Sequence, residues 1–269
     1  MQEESERIAM PIVLTIAGTD SGGGAGVMAD LKTFAALGVH GCVVVSCLTA
    51  QNPARVLEVS PCSPEFVEAQ LKAVFTELSP KVVKTGMLYD EKIIQRTASF
   101  LKKTSVCLVV DPVMISTSGA KLLREEAIEV MKRELFPLAT LVTPNLDELA
   151  SLLGHPILNE LELRSGAKEF YELYKCPVLA KGGHLKGSHL ALDILWDGIH
   201  EYSYSLPFVR DVSTHGTGCT FSAAITAFLA CGFTLSEAVG RAKCYVNEAI
   251  RGSVRISRYY ALDWFRFKK

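Results

Sequence analysis

The sequence has no excess of charge of either sign: 28 Lys and Arg residues stand against 29 Asp and Glu residues, for a net charge of −1. This balance argues against nucleic acid or an anionic membrane as a partner, because binding to either needs a basic surface. No apolar run is long enough to span a bilayer. Residues 1–7 are polar and acidic, unlike a signal peptide. We therefore expect a soluble, cytoplasmic protein that binds neither nucleic acid nor membrane.

The sequence also lacks paired cysteines, although it contains 8 of them. No two have Cys-x-x-Cys spacing, so the usual pattern of zinc ligands is missing. Cys42, Cys47 and Cys107 lie in apolar, strand-like runs and are predicted to be small core residues. Free thiols of this kind are typical of a reducing compartment.

The glycine-rich segment 18–26 lacks the residues that two nucleotide-binding motifs require. It follows a predicted strand over residues 12–17 and precedes a predicted helix. A P-loop needs lysine where Gly24 stands. Residues 24–29 fit Gly-x-Gly-x-x-Ala, but the next predicted strand, 42–48, offers no acid for a ribose hydroxyl. Two interpretations stay open: a tight turn that packs a helix on a sheet, or a backbone-lined pocket for a small molecule.

A second glycine segment, 213–220, precedes an apolar run of helical length. The first N–H groups of a helix have no partner inside it, and with the helix dipole they favour an anion. We expect Thr217 or Gly218 to cap the helix. Cys219 lies in the same field, which favours loss of the thiol proton and makes this residue a candidate base. An ordinary loop–helix junction with a buried cysteine is the alternative.

Polar residues follow the carboxyl ends of several predicted strands, where ligands bind in an open α/β sheet. Asp111 is predicted to bind metal or substrate, or else to form a structural salt bridge. Lys181 precedes two glycines and suits a phosphate. Asn145 and Glu148 are placed to cap a helix, or instead to hold hydrated Mg²⁺. Residues 116–119 have the small-residue composition of a lid.

Strands and helices alternate along the chain, which predicts a single three-layer α/β/α domain around a mostly parallel central sheet. Asp197-Gly198 between two apolar runs predicts a β-hairpin. The domain is expected to cover residues 11–250, after a polar extension over residues 1–10. Residues 251–269 show no assignable pattern and are expected to be a tail of the same domain.

Eight motifs, in order along residues 11–250, resemble those of the hydroxymethylpyrimidine/phosphomethylpyrimidine kinases of thiamine biosynthesis, a branch of the ribokinase-like superfamily. The first glycine loop departs from the family pattern, which commonly reads Asp-Pro-Ser-Gly where this chain has Asp20-Ser21-Gly22-Gly23. The tail departs from the usual family ending. The motifs occupy residues 17–26, 29–33, 49–52, 84–87, 111–114, 143–148, 181–184 and 215–220.

The resemblance implies a ribokinase-like fold and two successive ATP-dependent phosphorylations, of the hydroxymethyl group and then of the resulting monophosphate. It implies ATP and Mg²⁺ as cofactors, with a monovalent cation as a further option, and a homodimer that binds a small pyrimidine and ATP. Cys219 would be the general base, with Asp30 the next candidate. By residue, the resemblance assigns Cys219, Lys181, Gly216 and Gly218 to catalysis; Gly18, Asp30, Gln51, Met87 and Val113 to the pyrimidine; Thr143, Asn145, Lys181 and Thr217 to ATP; and Asp111 and Glu148 to the metal.

Other functions stay open. A pyridoxal kinase, or an enzyme with both activities, is the nearest. Gln51 argues against it because an amide pairs with an aminopyrimidine edge, and Ser116 stands near the place where a related pyridoxal kinase branch has a second cysteine. A hydrolase using Cys219 and His215 would need a third group to orient the histidine, and the sequence offers no obvious one. A nucleotide-binding regulator would bind ATP without turnover.

Overall fold

A computed structural model of the chain describes residues 10–114, 123, 125–183, 185, 189–210, 212 and 215–267. Its largest element is an eight-stranded sheet. The strands of the chain are β1 (Ile12–Ala17), β2 (His40–Val45), β3 (Cys47–Asn52), β4 (Arg55–Pro61), β5 (Val82–Thr85), β6 (Cys107–Val110), β7 (Leu141–Val142), β8 (Val178–Lys181), β9 (Leu190–Trp196), β10 (Glu201–Pro207), β11 (Val254–Ile256) and β12 (Tyr259–Ala261).

The strand order in the main sheet is β10-β9-β8-β7-β6-β5-β1-β2. Pairing is parallel from β2 through β8 and antiparallel for β9 and β10 at the other edge. The mostly parallel sheet that the sequence predicts is therefore confirmed. The predicted Asp197-Gly198 hairpin is also confirmed, because this dipeptide begins the four-residue turn, 197–200, between the antiparallel strands β9 and β10.

Helices cover both faces of this sheet. Three of them pack a shared apolar cluster on one face, and the others pack a second cluster on the opposite face, which gives the three layers. The first group is α1 (Gly26–Leu37), α7 (Thr217–Ala230) and α8 (Leu235–Arg251); the second is α2 (Pro64–Glu77), α3 (Glu91–Leu101), α4 (Glu125–Val130) with a π-helical turn at Met131–Leu135, α5 (Leu146–Leu153) and α6 (Glu160–Tyr174).

One predicted strand is wrong. The apolar run 42–48 is divided at Ser46, and its two parts enter different sheets. β2 forms an edge of the main sheet, whereas β3 pairs with β4 in a two-stranded antiparallel sheet. The register of that pair shifts between Ala50 and Gln51. Such a bulge turns side chains away from the regular alternation of a strand.

Two further expectations need correction or completion. Cys42 and Cys47 are buried as predicted, but Cys107 is exposed because it opens β6 at the rim of the sheet. The unassigned tail forms an antiparallel hairpin, β11–β12, and its Leu262 and Trp264 are buried.

The proposed lid, 116–119, lies outside the described residues. Within the described part of the chain, no helix combines the length and apolarity needed to cross a membrane.

Candidate active site

The polar residues predicted from strand ends meet beyond the carboxyl ends of β6, β7 and β8, where α7 also begins. Asp111 is their centre. Its Oδ1 accepts hydrogen bonds from Lys181 Nζ at 3.1 Å and Thr143 Oγ1 at 3.3 Å. Its Oδ2 accepts one from Ser222 Oγ of α7 at 2.9 Å. Both oxygens of Asp111 are thus held in place by three separate elements.

Burial and charge oppose each other in this cluster. Burial raises the pKa of Asp111, but Lys181 and Lys84 outweigh it and hold that pKa below its usual value. Burial lowers the pKa of Lys181, but Asp111 and Glu148 together raise it above its usual value. Lys181 therefore keeps its positive charge beside the ionised Asp111.

Asn145 and Glu148 form the capping box of α5 that the sequence allows. Asn145 Oδ1 accepts from the Glu148 N–H, and Glu148 Oε2 accepts from the Asn145 N–H, both at 2.9 Å. Glu148 Oε1 also accepts from the Met114 N–H at 3.3 Å. Burial and the charge of Asp111 raise the pKa of Glu148, against the opposing effect of Lys181. The cap places this carboxylate next to Asp111.

The start of α7 lies against the same cluster. The N-cap is Gly216, not Thr217 or Gly218, because the chain turns there through a left-handed conformation with φ of 82°. A side chain at Gly216 would collide with the carbonyl of Gly24, so only glycine fits. Lys181 Nζ lies 3.7 Å from the place that a Cβ on Gly218 would take. The N–H groups of Gly218 and Cys219 have no acceptor among the described residues, as expected for the first turn of a helix.

Cys219 is partly buried, and its environment corrects one expectation. Burial raises the pKa of its thiol to about 11, although Lys84 and a hydrogen bond from the Gly26 N–H both lower it. Asp30 and Asp111 add to the increase. The field of the helix start does not outweigh these effects, so the thiol is neutral at neutral pH.

Behind Cys219 lies an ion pair that sequence reasoning missed. Lys84 Nζ contacts Asp30 Oδ1 at 2.7 Å, and both side chains are 0% exposed. Asp30 Oδ2 accepts from Thr15 Oγ1 at 2.6 Å. Asp30 therefore lies behind the surface of the site, with both oxygens already bonded. A lysine inside a four-residue buried strand was the available signal, since such a charge needs a buried partner.

The two glycine loops are joined through Asp20. Its carboxylate accepts from the backbone N–H groups of Gly22, Gly24 and Ala25 at 2.8, 3.0 and 2.8 Å. His215 Nε2 lies 2.9 Å from Asp20 Oδ2. Asp20 is thus the orienting group that the hydrolase alternative required. However, His215 Nε2 is engaged with Asp20, and the Cys219 thiol accepts a hydrogen bond from the Gly26 N–H.

The predicted pyrimidine-lining residues are only partly brought together. Gly18 is buried, and a Cβ on it would be 2.7 Å from Cys47 Sγ and 3.5 Å from Met87 Sδ. Gln51 is half-buried at the bulge of β3. Its backbone carbonyl accepts from Ser21 Oγ at 2.7 Å, and its N–H donates to the same oxygen at 2.8 Å. Val113 is half-buried directly after Asp111.

A second buried pair, also absent from the sequence predictions, supports the segment after Lys181. Asp193 Oδ1 accepts from the Gly182 N–H at 3.1 Å, and Asp193 Oδ2 contacts Lys243 Nζ of α8 at 2.6 Å. The Lys181 N–H donates to the Pro144 carbonyl at 2.9 Å. The backbone on both sides of the lysine is therefore fixed.

Comparisons with known proteins identify the family of the chain. The family model described as phosphomethylpyrimidine kinase matches residues 20–262. The chain is 46% identical over 246 residues to the hydroxymethylpyrimidine/phosphomethylpyrimidine kinase of Rhizobium meliloti, covering 91% of this chain and 92% of that protein. It is also 46% identical over 240 residues to the thiamine biosynthesis bifunctional protein ThiED of Geobacter sulfurreducens, covering 89% of this chain. The chain spans about half the length (49%) of that bifunctional relative.

Two solved structures share the fold closely. The phosphomethylpyrimidine kinase of Clostridium difficile 630 superposes with a TM-score of 0.79 at 42% identity, covering 89% of this chain and 99% of that one. The pyridoxal kinase of Staphylococcus aureus, in complex with AMP-PCP and pyridoxal, superposes with a TM-score of 0.87 at 34% identity, covering 96% and 94%. The chain thus has the higher sequence identity to the phosphomethylpyrimidine kinase, whereas the TM-score and the coverage of this chain are higher for the pyridoxal kinase.

Proposed function

The chain belongs to the phosphomethylpyrimidine kinase family and is a phosphotransferase that uses ATP, and we propose that it phosphorylates hydroxymethylpyrimidine and then the resulting monophosphate in thiamine biosynthesis. One observation carries the placement of the reaction. Lys181 Nζ is 3.7 Å from the Cβ position of Gly218, next to helix N–H groups that have no acceptor among the described residues. A phosphate between them would meet an ammonium group and the positive end of α7.

The family resemblance, taken together with this placement, implies the roles of the residues. Cys219, in its thiolate form, takes the proton of the hydroxymethyl group while the oxygen of that group attacks the γ-phosphorus of ATP and ADP leaves. Lys181 and the backbone at Gly216 and Gly218 stabilise the charge on the transferring group. Phosphoryl transfer depends mainly on positioning and on charge neutralisation of this kind. Thr143, Asn145 and Thr217 contact ATP.

The donor set around Asp111 fits Mg²⁺. Mg²⁺ prefers one or two carboxylates together with waters and phosphates. Asp111 and Glu148 supply such a pair, each fixed by hydrogen bonds. When bound, Mg²⁺ would neutralise charge on the ATP phosphates. A role for a monovalent cation stays a prediction.

For the acceptor, the proposal places the pyrimidine beside Gly18, Met87 and Val113, with the Gln51 amide pairing with its amino group. Asp30 acts on this site through Lys84, because its oxygens are not accessible. A site built around such pairing rejects a ligand that lacks the matching groups. Pyridoxal kinase is the second candidate, since the TM-score to the pyridoxal kinase of S. aureus is 0.87.

The deciding experiment compares ATP-dependent phosphorylation of hydroxymethylpyrimidine and of pyridoxal by the wild type and by Gln51→Met. We expect the wild type to prefer the pyrimidine and the variant to lose that preference. A ratio of efficiencies that does not change with Gln51 would contradict the assignment of this residue. A wild type that prefers pyridoxal would reverse the order of the two functions.

A homodimer in the cytoplasm completes the proposal. Leu48 and Leu57 of the β3–β4 sheet are 55% and 59% exposed, and Phe66 of α2 is 59% exposed. An interface with a second copy of the chain would cover exposed apolar side chains of this kind. Light scattering of the purified protein tests the dimer directly, and a monomer at micromolar concentration would exclude it.

A further inference from the structure

The C-terminal segment reaches the start of α7. Trp264 is 5% exposed, and its indole Nε1–H donates to Thr220 Oγ1 at 3.1 Å. Thr220 is the residue directly after Cys219. Trp264 also belongs to a small buried cluster with Ala29 and Leu262, and Cys219 packs against that cluster. The tail therefore contacts the wall behind the proposed base.

The same indole reaches the first glycine loop through Lys32. Lys32 Nζ lies 4.4 Å from the centroid of the Trp264 ring and donates to the Gly23 carbonyl at 2.6 Å. An ammonium group over a tryptophan face is attracted by about 0.5–1 kcal/mol at an exposed site, and by about 2 when desolvated. One lysine thus joins the tail to the loop that lies opposite the start of α7.

The backbone of the tail is fixed independently of the indole. The Tyr245 hydroxyl of α8 donates to the Trp264 carbonyl at 2.8 Å. The Asp263 N–H donates to the Ala249 carbonyl at 3.0 Å. A change confined to the Trp264 side chain should therefore leave the tail attached to α8, so the contribution of the indole can be measured.

We propose that Trp264 is a positioning residue for phosphoryl transfer, which holds the Cys219 end of α7 and the Gly23 loop in fixed positions through Thr220 and Lys32. The proposal rests on the proposed function, because it assumes that the geometry around Cys219 limits the rate. Trp264 itself touches no reacting atom in this scheme.

The first test is Trp264→Phe, which keeps an aromatic ring but removes the indole N–H. We expect kcat for hydroxymethylpyrimidine to fall by about tenfold, the equivalent of about 1.4 kcal/mol, which is within the range for a lost hydrogen bond to a buried partner. The KM for ATP should stay within about twofold, because the polar partners of Trp264 among the described residues are Thr220, Lys32 and Tyr245, which are not assigned to ATP. Phe265→Ala is the matched control in the same segment, since Phe265 is exposed.

Paired variants of the two partners keep the proposal testable if Trp264→Phe folds poorly. Thr220→Val removes the hydroxyl acceptor and should lower kcat, while Thr220→Ser keeps it and should restore most of the rate. Lys32→Met should act like Trp264→Phe, and combining the two should cost less than the sum of the single effects. Full additivity, or a Thr220→Ser variant as slow as Thr220→Val, would overturn the proposal.

Alkylation of Cys219 by iodoacetamide, followed by mass spectrometry of its peptide, separates this proposal from the proposed function. Burial raises the pKa of this thiol to about 11, so loosening the wall behind it should move the alkylation midpoint of Trp264→Phe to lower pH. If Cys219→Ala turned over like the wild type, the base assignment would fail, yet the midpoint would still report whether Trp264 holds the thiol. A midpoint identical to that of the wild type would contradict the positioning role.

Discussion

Cys219→Ala should affect the two reactions of this site unequally. The hydroxymethyl group must lose a proton as it attacks, and a general base contributes about 10²–10⁴ to the rate of such a step. The monophosphate is different, because its second pKa is about 6 and its attacking oxygen is already ionised at neutral pH. We therefore expect Cys219→Ala to slow the first phosphorylation by about 10²–10⁴-fold and the second by far less.

The pH dependence sharpens this prediction. With a thiol pKa of about 11, only about one molecule in 10⁴ carries the thiolate at pH 7, because each unit is a factor of ten. Deprotonation increases as the pH rises toward that value. The first reaction of the wild type, measured as kcat/KM, should therefore increase by about 100-fold between pH 7 and pH 9. The second reaction should increase much less, and Cys219→Ala should lose the steep dependence.

The assay follows ADP release with each acceptor supplied separately at saturating ATP. Cys244→Ala is the matched control, since Cys244 is exposed and lies on α8. Equal losses in both reactions would show that Cys219 positions the phosphate rather than removes a proton. Wild-type rates in Cys219→Ala would leave the residue a packing contact only.

Three other results are expected. Lys84→Met should lower the free energy of unfolding, measured by urea denaturation, by about 3–5 kcal/mol, because it leaves the Asp30 carboxylate buried and unpaired. Adding Asp30→Asn to this variant should recover part of the loss. Equal stability of the single and double variants would exclude this explanation. Glu148→Gln should raise the Mg²⁺ concentration that gives the half-maximal rate by about 10–100-fold. The Tm should change little, since glutamine also forms capping boxes. An unchanged Mg²⁺ titration would show that Glu148 does not bind the metal. Ser21→Ala should raise the KM for the pyrimidine by about tenfold, the cost of freeing the Gln51 backbone from two modest hydrogen bonds; an unchanged KM would mean that this link does not set the position of Gln51.

The sequence predicts the parts of this site that depend on local rules. Asp111 and Lys181 follow parallel strands, whose carboxyl ends share one edge of the sheet, so their meeting at 3.1 Å follows from topology. Asn145 and Glu148 have the spacing of a capping box and form one. Each of these predictions needed only a strand end or a helix start.

Contacts between segments that are far apart in the sequence could not be predicted from strand ends and helix starts. Lys84 and Asp30 are separated by 54 positions, and their pairing depends on how α1 packs over β1 and β5. Trp264 follows no helical or strand period, so no pattern links it to Thr220, 44 residues earlier. The division of the run 42–48 at Ser46 could not be predicted from the sequence either. Both halves of the run have the composition of a strand, and they differ only in the sheet that each one joins.

A helix N-terminus is expected to lower the pKa of a nearby thiol, but the pKa of Cys219 is raised. The helix start is a fixed and modest positive field, whereas loss of water around a thiolate is a large penalty that depends on everything packed nearby. Two ammonium groups, Lys84 and Lys181, stand against the carboxylates of Asp30, Asp111 and Glu148, so the side chains alone provide no net positive charge for a thiolate. The phosphates of ATP add more negative charge to the same volume. A metal ion at Asp111 and Glu148 would offset that charge, so an efficient proton transfer to Cys219 should depend on the same ion that positions the phosphates.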